Sequence, residues 1–468
     1  MRRFGAPGPA VRRCALAITA AVVAAFAALP AGGAASSTGA DAPARTTAAD
    51  GPAPTSAGAR SHAPASERAQ VTRAPRAASR RTLVRQLRRA MGSAGGSSGA
   101  YVVDAETGRP LLRWRHTTPR ILASNAKLFT TAATLARFGP DGSLETAVRG
   151  DGRLGGRGVW RGDLFLVGGG DPTFGSRSFA ERAYGVRRPT VQTLAAKLDR
   201  AGIEHVTGRI YGDESAFDSL RGGPDSGYGT SIWVGPLSAL GYNRGLAAET
   251  GASFQGNPPA FAAARLTDAL RARGVSVRRR PSAGVAPRSA QELAAVRSPS
   301  IARLAAMTNK PSDNYFAEML LKALAMRAHG QGTTAAGAKI AARFARRLGG
   351  RPARLADGSG LSRANRASPY RVVRLLAAMR ERDELVPFAR SLAVAGRDGT
   401  LDDRMRRGPA RGRCRGKTGT LSNVSALSGW CRARSGDTYL FSILMNRVDP
   451  YGARALQDRM LQAIAGSR

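Results

Sequence analysis

A serine and a lysine stand three positions apart at Ser124 and Lys127, in a stretch whose apolar spacing predicts a helix beginning at Ser124. At that spacing two side chains share one helix face and can touch. A serine hydroxyl is a poor nucleophile until a base takes its proton, and a desolvated lysine can act as that base. Lysine is scarce in this arginine-rich chain, and Lys127 alone has a serine three residues before it. The pair is a candidate for covalent catalysis, although helices also collect serine and lysine without function.

Two later motifs supply further residues of the same chemistry. Ser312-Asp-Asn314 directly precedes a strongly helical stretch, where it could equally be a helix N-cap. Lys417-Thr-Gly419 lies in a strand-like run, where its lysine could equally face solvent. The motifs S-x-x-K, S-D-N and K-T-G together are the signature set of penicillin-binding proteins and class A β-lactamases. Here all three occur in the required order, which chance explains far less well than any single motif.

From about Gly99 to the C-terminus the chain resembles the DacB-like D-alanyl-D-alanine carboxypeptidases/endopeptidases, the S13 peptidase family. A long interval separates Lys127 from Ser312, and it fits the large insertion that this family has between its first two motifs. Further stretches carry the resemblance, and they are Leu166–Pro172, Asp357–Arg363 with Asn365 and Ser368-Pro369, and Ala395–Thr400. We interpret the Asp357 stretch as a structural loop bordering the cleft, with Ser359 not catalytic.

The resemblance implies a serine-type D-Ala-D-Ala carboxypeptidase, with or without endopeptidase activity, that acts on peptidoglycan stem peptides and is acylated by β-lactams. Ser124 is then the nucleophile and Lys127 its base. Ser312 and Lys417 relay a proton to the departing amine, and Asn314 holds the substrate amide. This chemistry requires no metal and no organic cofactor.

The same resemblance assigns substrate binding to the strand of the third motif. Thr418, with the charge of Lys417, receives the terminal carboxylate, and Gly419 and Thr420 complete the binding strand. Backbone N–H groups of Ser124 and Thr420 hold the tetrahedral oxyanion, a kind of contact that supplies several kcal/mol in acyl transfer.

Two other functions remain open, a β-lactamase or esterase on the same fold and a non-catalytic module that binds cell-wall peptide. Class A β-lactamases hydrolyse the acyl-enzyme with a glutamate in a loop after S-D-N. Between Glu318 and Glu381 this chain has a single carboxylate, Asp357. Slow deacylation after attack on penicillin is therefore expected. The intact motifs argue against a non-catalytic module.

The expected fold is α/β (α+β), a penicillin-binding/serine β-lactamase-like domain whose antiparallel sheet is flanked by helices and interrupted by a large mixed α/β insertion. The catalytic domain has two segments, 81–144 and 299–468, and the inserted accessory part is 145–298. Because no motif falls in the insert, the sequence predicts that it is dispensable for the chemistry and contacts glycan or a partner.

The N-terminus predicts export. Arginines precede an apolar stretch that runs from Cys14 to Leu29, and small residues follow it, which is the order of a signal peptide, assigned to 1–35. An uncleaved anchor is the alternative. Residues 36–80 are rich in Ala, Pro, Ser, Thr and Arg and predict a disordered linker. The protein should therefore work outside the cytoplasmic membrane, on its cell-wall side.

The formal net charge is +40, from 72 Lys+Arg against 32 Asp+Glu, and it is spread along the chain. Such a balance suits nucleic acid, an anionic membrane surface or an anionic cell-wall polymer such as teichoic acid. No nucleic-acid-binding motif occurs, so we expect no nucleic acid partner and consider a cell-wall polymer a candidate.

Two cysteines, Cys414 and Cys431, remain once the signal peptide is removed. In an exported protein such an even pair is expected to be bridged, and two buried free thiols are the alternative. If the flanking runs form a hairpin that turns between Ser422 and Asn423, the two cysteines face each other. Cys414 and Lys417 would then lie on opposite faces of the strand, so the bridge would support the catalytic strand from behind.

Overall fold

The computed structural model describes residues 65–185, 190–349 and 353–468, with side chains from Ser79 onward apart from that of Leu385. Residues Ser79–Arg468 form one compact unit. The predicted signal peptide and residues 36–64 of the predicted linker lie outside the described residues.

The strands, in chain order, are β1 (Ser98–Asp104), β2 (Pro110–Trp114), β3 (Arg120–Ile121), β4 (Glu145–Leu154), β5 (Val159–Gly168), β6 (His205–Val206), β7 (Ile210–Asp213), β8 (Ser276–Val277), β9 (Ser282–Ala283), β10 (Gln291–Arg297), β11 (Arg366–Ala367), β12 (Ala393–Val394), β13 (Cys414–Leu421), β14 (Val424–Arg432) and β15 (Thr438–Asn446). The helices are α1 (Ala65–Gly92), α2 (Ala126–Phe138), α3 (Arg177–Tyr184), α4 (Val191–Arg200), α5 (Pro258–Arg271), α6 (Ile301–Asn309), α7 (Asn314–His329), α8 (Thr334–Arg347), α9 (Pro369–Arg380), α10 (Leu385–Ser391) and α11 (Pro450–Gly466).

An antiparallel six-stranded sheet in the order β12-β13-β14-β15-β1-β2 joins the two ends of the described chain. Successive side chains along a strand point to opposite faces of the sheet, and each face packs against its own hydrophobic core. Ala100 and Val102 pack with residues of α1 and α11 on one face, and Tyr101 and Val103 pack with residues of α2, α7 and α9 on the other. The predicted antiparallel sheet flanked by helices is confirmed.

A second sheet is formed entirely within 145–297. Strands β10, β4 and β5 pair antiparallel, and β6 to β9 extend the sheet through parallel pairs. Its own hydrophobic core joins Leu164 and Leu166 to Leu194 of α4 and Leu266 of α5.

The first helix begins earlier than the sequence predicts. The predicted linker extends to residue 80, yet α1 begins at Ala65, so the prediction of disorder is wrong for 65–80. Buried Leu83, Leu87 and Met91 hold the later part of the helix against the sheet. The alanines and arginines between Ala65 and Arg80 are good helix formers that extend this helix toward its N-terminus, and Pro75 is the one residue of the stretch that cannot donate a backbone hydrogen bond.

Candidate active site

Ser124 lies in a short 3-10 helix, Ala123–Asn125, that leads directly into α2. The residue before it, Ala123, has a positive φ of 45°, which is unusual for a side chain other than glycine. Gly360 packs so closely against the Ala123 carbonyl that a Cβ there would have no room. The nucleophile candidate therefore sits on a strained turn that a neighbouring loop holds in place, a common arrangement at functional sites.

The Lys127 amine lies 3.0 Å from the Ser124 hydroxyl oxygen. It also donates to the side-chain carbonyl of Asn314 at 2.7 Å and to the backbone carbonyl of Ser359 at 2.6 Å. Neither carbonyl can donate a hydrogen bond. When the amine is neutral, its two hydrogens are engaged by these carbonyls, and its lone pair is left to accept the hydroxyl proton of Ser124.

Burial makes the neutral form of this amine accessible. The Lys127 side chain is fully buried, and desolvation lowers its pKa to about 8 against the opposing influence of Asp357, Glu318 and Asp313. A lysine with such a pKa can act as a general base near neutral pH.

The Ser312-Asp-Asn314 motif forms the turn that starts α7. Ser312 has a positive φ of 64°. Asp313 caps the helix by accepting from the Phe316 N–H at 3.0 Å, so the N-cap interpretation is correct for this residue. The cap leaves Ser312 and Asn314 on either side of it to face the other two motifs.

The Lys417 amine donates to the Ser312 hydroxyl at 2.8 Å and to the Thr418 carbonyl at 2.9 Å. Lys417 is fully buried, and desolvation, with the nearby charge of Lys127, lowers its pKa well below the usual lysine value. Asn125 donates to the Lys417 backbone carbonyl at 3.0 Å, which ties β13 to the turn that holds Ser124. The three motifs therefore converge on one site.

The remaining predicted binding residues continue along β13. Thr418 donates to Thr400 at 2.7 Å. A Cβ on Gly419 would stand 3.0 Å from the Ser124 backbone nitrogen, so the absent side chain lets the strand approach the nucleophile. Thr420 is exposed, and its hydroxyl accepts from Arg454 at 3.0 Å. Among the described residues, β12 pairs only with Arg415 and Gly416, which leaves this edge of β13 without a strand partner from Lys417 onward.

Two buried carboxylates lie beneath the site, and sequence reasoning gave neither of them a role in it. Glu318 accepts from the N–H groups of Gly358 and Ser359, the latter at 2.7 Å. Asp357 accepts from Gly360 at 2.8 Å and from Ser362 at 2.6 Å. Burial raises the pKa of both carboxyls. The Asp357 loop was interpreted as bordering the cleft, but it carries the carbonyl that binds Lys127.

The insert also reaches the site. Arg244 forms a two-point ion pair with Asp313, at 2.7 and 3.1 Å, and stacks over the Tyr315 and Phe316 rings. The Asn314 amide donates to the Trp233 carbonyl at 3.1 Å, which fixes its orientation toward Lys127. The expectation that the insert is dispensable rested on its lacking a motif, yet it contacts the second motif directly.

The predicted disulfide between Cys414 and Cys431 is present. The cysteines lie directly opposite each other in the β13–β14 hairpin, whose turn is Ser422-Asn423, and Asn423 adopts the positive φ that such a turn needs. Both cysteines pack in the core shared with α1 and α11. The bridge therefore lies on the face of the sheet away from the Lys417 side chain, as predicted.

Within the described residues no group of three or more His, Cys, Asp or Glu side chains is arranged to hold a metal ion. Over the same residues no helix combines the length and apolar character needed to span a membrane.

Comparison with known proteins gives the family. The model of the D-Ala-D-Ala carboxypeptidase 3 (S13) family matches residues 88–248 and 246–466, which is most of the chain. The chain belongs to the S13 family. The predicted family membership is thereby confirmed.

Curated relatives agree with this membership, and a solved structure has the same fold. The D-alanyl-D-alanine carboxypeptidase of Actinomadura sp. (strain R39) is 30% identical over 452 residues, covering 79% of this chain and 81% of the relative. Carboxypeptidase DacB of Mycolicibacterium smegmatis is 30% identical over 369 residues, covering 76% and 77% respectively. The crystal structure of penicillin binding protein 4 (dacB) from Haemophilus influenzae shares the fold, with a TM-score of 0.68 at 21% identity, over 80% of this chain and 97% of that one.

Proposed function

We propose that this S13 protein is a serine-type D-Ala-D-Ala carboxypeptidase that acts on peptidoglycan stem peptides through an acyl-enzyme at Ser124. The observation that carries the proposal is the environment of Lys127. Its buried amine is 3.0 Å from the Ser124 oxygen and is held on its other sides by two carbonyls. This geometry directs a base toward the hydroxyl of a partly exposed serine that directly follows the strained Ala123.

In the first half of the reaction Ser124 attacks the carbonyl between the two D-alanines, and its proton passes to Lys127. The oxyanion is held by the backbone N–H groups of Ser124 and Thr420, and Gly419 permits the close approach of the two segments that this requires. The extended substrate lies along the unpaired edge of β13, where a strand can be added through backbone hydrogen bonds. Asn314 holds the substrate amide.

The tetrahedral intermediate then breaks its carbon–nitrogen bond. Ser312, which accepts from Lys417, passes a proton to the departing D-alanine amine, and Lys417 replaces the proton on Ser312. The substrate carboxylate binds at Thr418 and favours the charged form of Lys417, opposing the burial that lowers the pKa of this amine. Binding of the correct substrate thus keeps Lys417 protonated, so that it can return a proton to Ser312.

Water completes the reaction by hydrolysing the acyl-enzyme. The carboxylates beneath the site, Glu318 and Asp357, accept from backbone N–H groups of the loop and are buried. Neither is exposed at the serine to activate water as in a class A β-lactamase. β-Lactams therefore acylate Ser124, and the resulting acyl-enzyme is hydrolysed slowly.

The wider assignments are also proposals. Residues 81–144 and 299–468 form the catalytic domain, and 145–298 form an accessory insert whose Arg244 and Trp233 support the second motif. Residues 1–35 direct export to the cell-wall side of the membrane, and the basic surface attracts an anionic cell-wall polymer.

Labelled penicillin and a D-Ala-D-Ala peptide, each mixed with the purified protein, test the function. The proposal expects durable labelling and release of D-alanine, with both lost in the folded Ser124→Ala variant. Fast turnover of penicillin would instead identify a β-lactamase. Inertness toward both compounds would identify a non-catalytic peptide-binding module, and labelling of the Ser124→Ala variant would place the nucleophile elsewhere.

A further inference from the structure

The loop Asp357–Ser362 connects three parts of the active site. The Ser359 carbonyl accepts from Lys127 at 2.6 Å, the Gly358 carbonyl accepts from Thr130 of α2 at 3.0 Å, and Gly360 packs on the strained Ala123. This loop therefore fixes both the base and the turn of the nucleophile. The groups that fix the loop itself govern the geometry of the catalytic pair.

Glu318 is the principal anchor of this loop from α7. Its carboxylate accepts from the N–H groups of Gly358 and Ser359, the residues whose carbonyls hold α2. Glu318 lies one helical turn after Asn314, so both side chains project from one face of α7. One face of α7 thus supports Lys127 twice. Asn314 accepts a hydrogen bond from its amine directly, and Glu318 holds the loop whose Ser359 carbonyl accepts the other.

We propose that Glu318 is a positioning residue for the acylation step: it holds the loop so that the Ser359 carbonyl directs the lone pair of Lys127 toward Ser124. This inference rests on the proposed function, because it assigns a role within the same site. A carboxylate suits the task because its negative charge strengthens the hydrogen bonds from the two adjacent N–H groups, and its second oxygen also accepts from Gly358.

The charges around Lys127 give this role a distinct signature. The groups that act on it are Asp357 of the loop, Glu318 of α7, Asp313 at the start of α7 and Lys417 of β13. Glu318 itself also interacts with Asp357 and with the next buried lysine of α7, Lys322. Burial raises the pKa of Glu318 to about 7, so this carboxylate is mostly ionised near the Lys127 pKa of about 8, and its negative charge raises that pKa. Removing the charge lets burial lower the pKa of Lys127 further.

The test is the pH dependence of acylation by fluorescent penicillin. In Glu318→Gln we expect the plateau rate to fall roughly tenfold to a hundredfold, because the base is displaced. We also expect the midpoint to move by about half a unit or more to lower pH. Glu318→Asp keeps the negative charge but shortens the side chain that holds the loop. Its plateau acylation rate should therefore fall, while the midpoint of its pH profile stays at the wild-type value. Asp458→Asn, which alters a carboxylate paired with Arg404 on the other face of the sheet, is the matched control and should behave as the wild type.

An unchanged midpoint in folded Glu318→Gln would overturn the proposal, because a merely structural role predicts a lower rate alone. If this variant does not fold, Glu318→Asp decides, and labelling at the wild-type rate would overturn the proposal. Failure of the proposed function looks different, since the wild-type protein itself would then not be labelled.

Discussion

At the scale of single residues, Lys127 combines full burial with three hydrogen-bond partners, only one of which can give it a proton. Its pKa is lowered to about 8 because desolvation outweighs the three nearby carboxylates. We expect the acylation rate to follow the fraction of neutral amine. The rate constant for labelling by penicillin should rise about tenfold per pH unit below the midpoint and level off above it. A profile that is flat from pH 6 to 9 would contradict a titrating lysine base.

Replacing Lys127 by arginine keeps the positive charge but removes the ability to act as a base. In Lys127→Arg the acylation rate should fall by about 10²- to 10⁴-fold, because a guanidinium cannot give up its proton. Lys339→Arg makes the same change on the exposed face of α8 and should label normally. An active Lys127→Arg protein would mean that the base lies elsewhere.

The contacts among the motif residues can be predicted from the sequence, whereas the contacts of the residues that hold them in place cannot. Ser124 and Lys127 are close because helix geometry fixes their spacing, and the ordered motifs indicated that Ser312 and Lys417 would join them. Glu318 gave one usable signal, its spacing of four from Asn314. A glutamate on a helix is ordinarily exposed, however, and its partners at Gly358 and Ser359 become visible only in the fold.

At the scale of elements, the β13–β14 hairpin shows why its prediction succeeded. Opposed cysteines and an asparagine turn each specify the same register, so the pairing was determined locally. The insert shows the opposite case. Arg244 is one arginine among many, and its partner Asp313 lies 69 positions later. No local pattern could have selected this pair.

The hairpin bridge should stabilise the fold without taking part in catalysis. Replacing both Cys414 and Cys431 by alanine should lower the free energy of unfolding by about 3 kcal/mol, because the bridge closes a loop in the unfolded chain. The bridge spans a sequence separation of 17. Penicillin labelling of the folded variant should persist, since the cysteines lie on the far face of the sheet. Two alkylatable cysteines in unreduced exported protein would refute the bridge.

Arg244 should connect the insert to the chemistry. In Arg244→Met the free energy of unfolding should fall by about 3 kcal/mol, because Asp313 is left buried and unpaired. Acylation should slow as the second motif shifts. Arg182→Met breaks a more exposed pair with Glu249 and should cost under about 1 kcal/mol. Thermal unfolding and labelling rates measure both variants, and unchanged values for Arg244→Met would support a dispensable insert.

At the scale of the whole molecule, the chain carries a formal net charge of +40, which attracts anionic polymers at long range. We expect the protein to bind a linear polyol-phosphate polymer at low salt and to release it as salt rises, because screening shortens the reach of surface charges to about 10 Å at 0.1 M. Co-sedimentation with teichoic acid, with neutral dextran as control, measures this. Retention that is insensitive to salt, or equal on dextran, would rule out charge as its cause.

The central sheet also sets an order of events during synthesis. Strand β1 near the start of the domain pairs with β15 near its end, and Ile121 bonds Asn446 at a separation of 325 residues. Until the ribosome has made β15, the edge of β1 that pairs with it has no partner strand. The contact between Lys417 of β13 and Ser312 cannot be held in place until the strands beside β13 have also formed. Pairings so distant in sequence form late and slowly. Ser124 is therefore synthesised long before the strands that complete its site, and we expect activity only after the C-terminal strands have paired with the first.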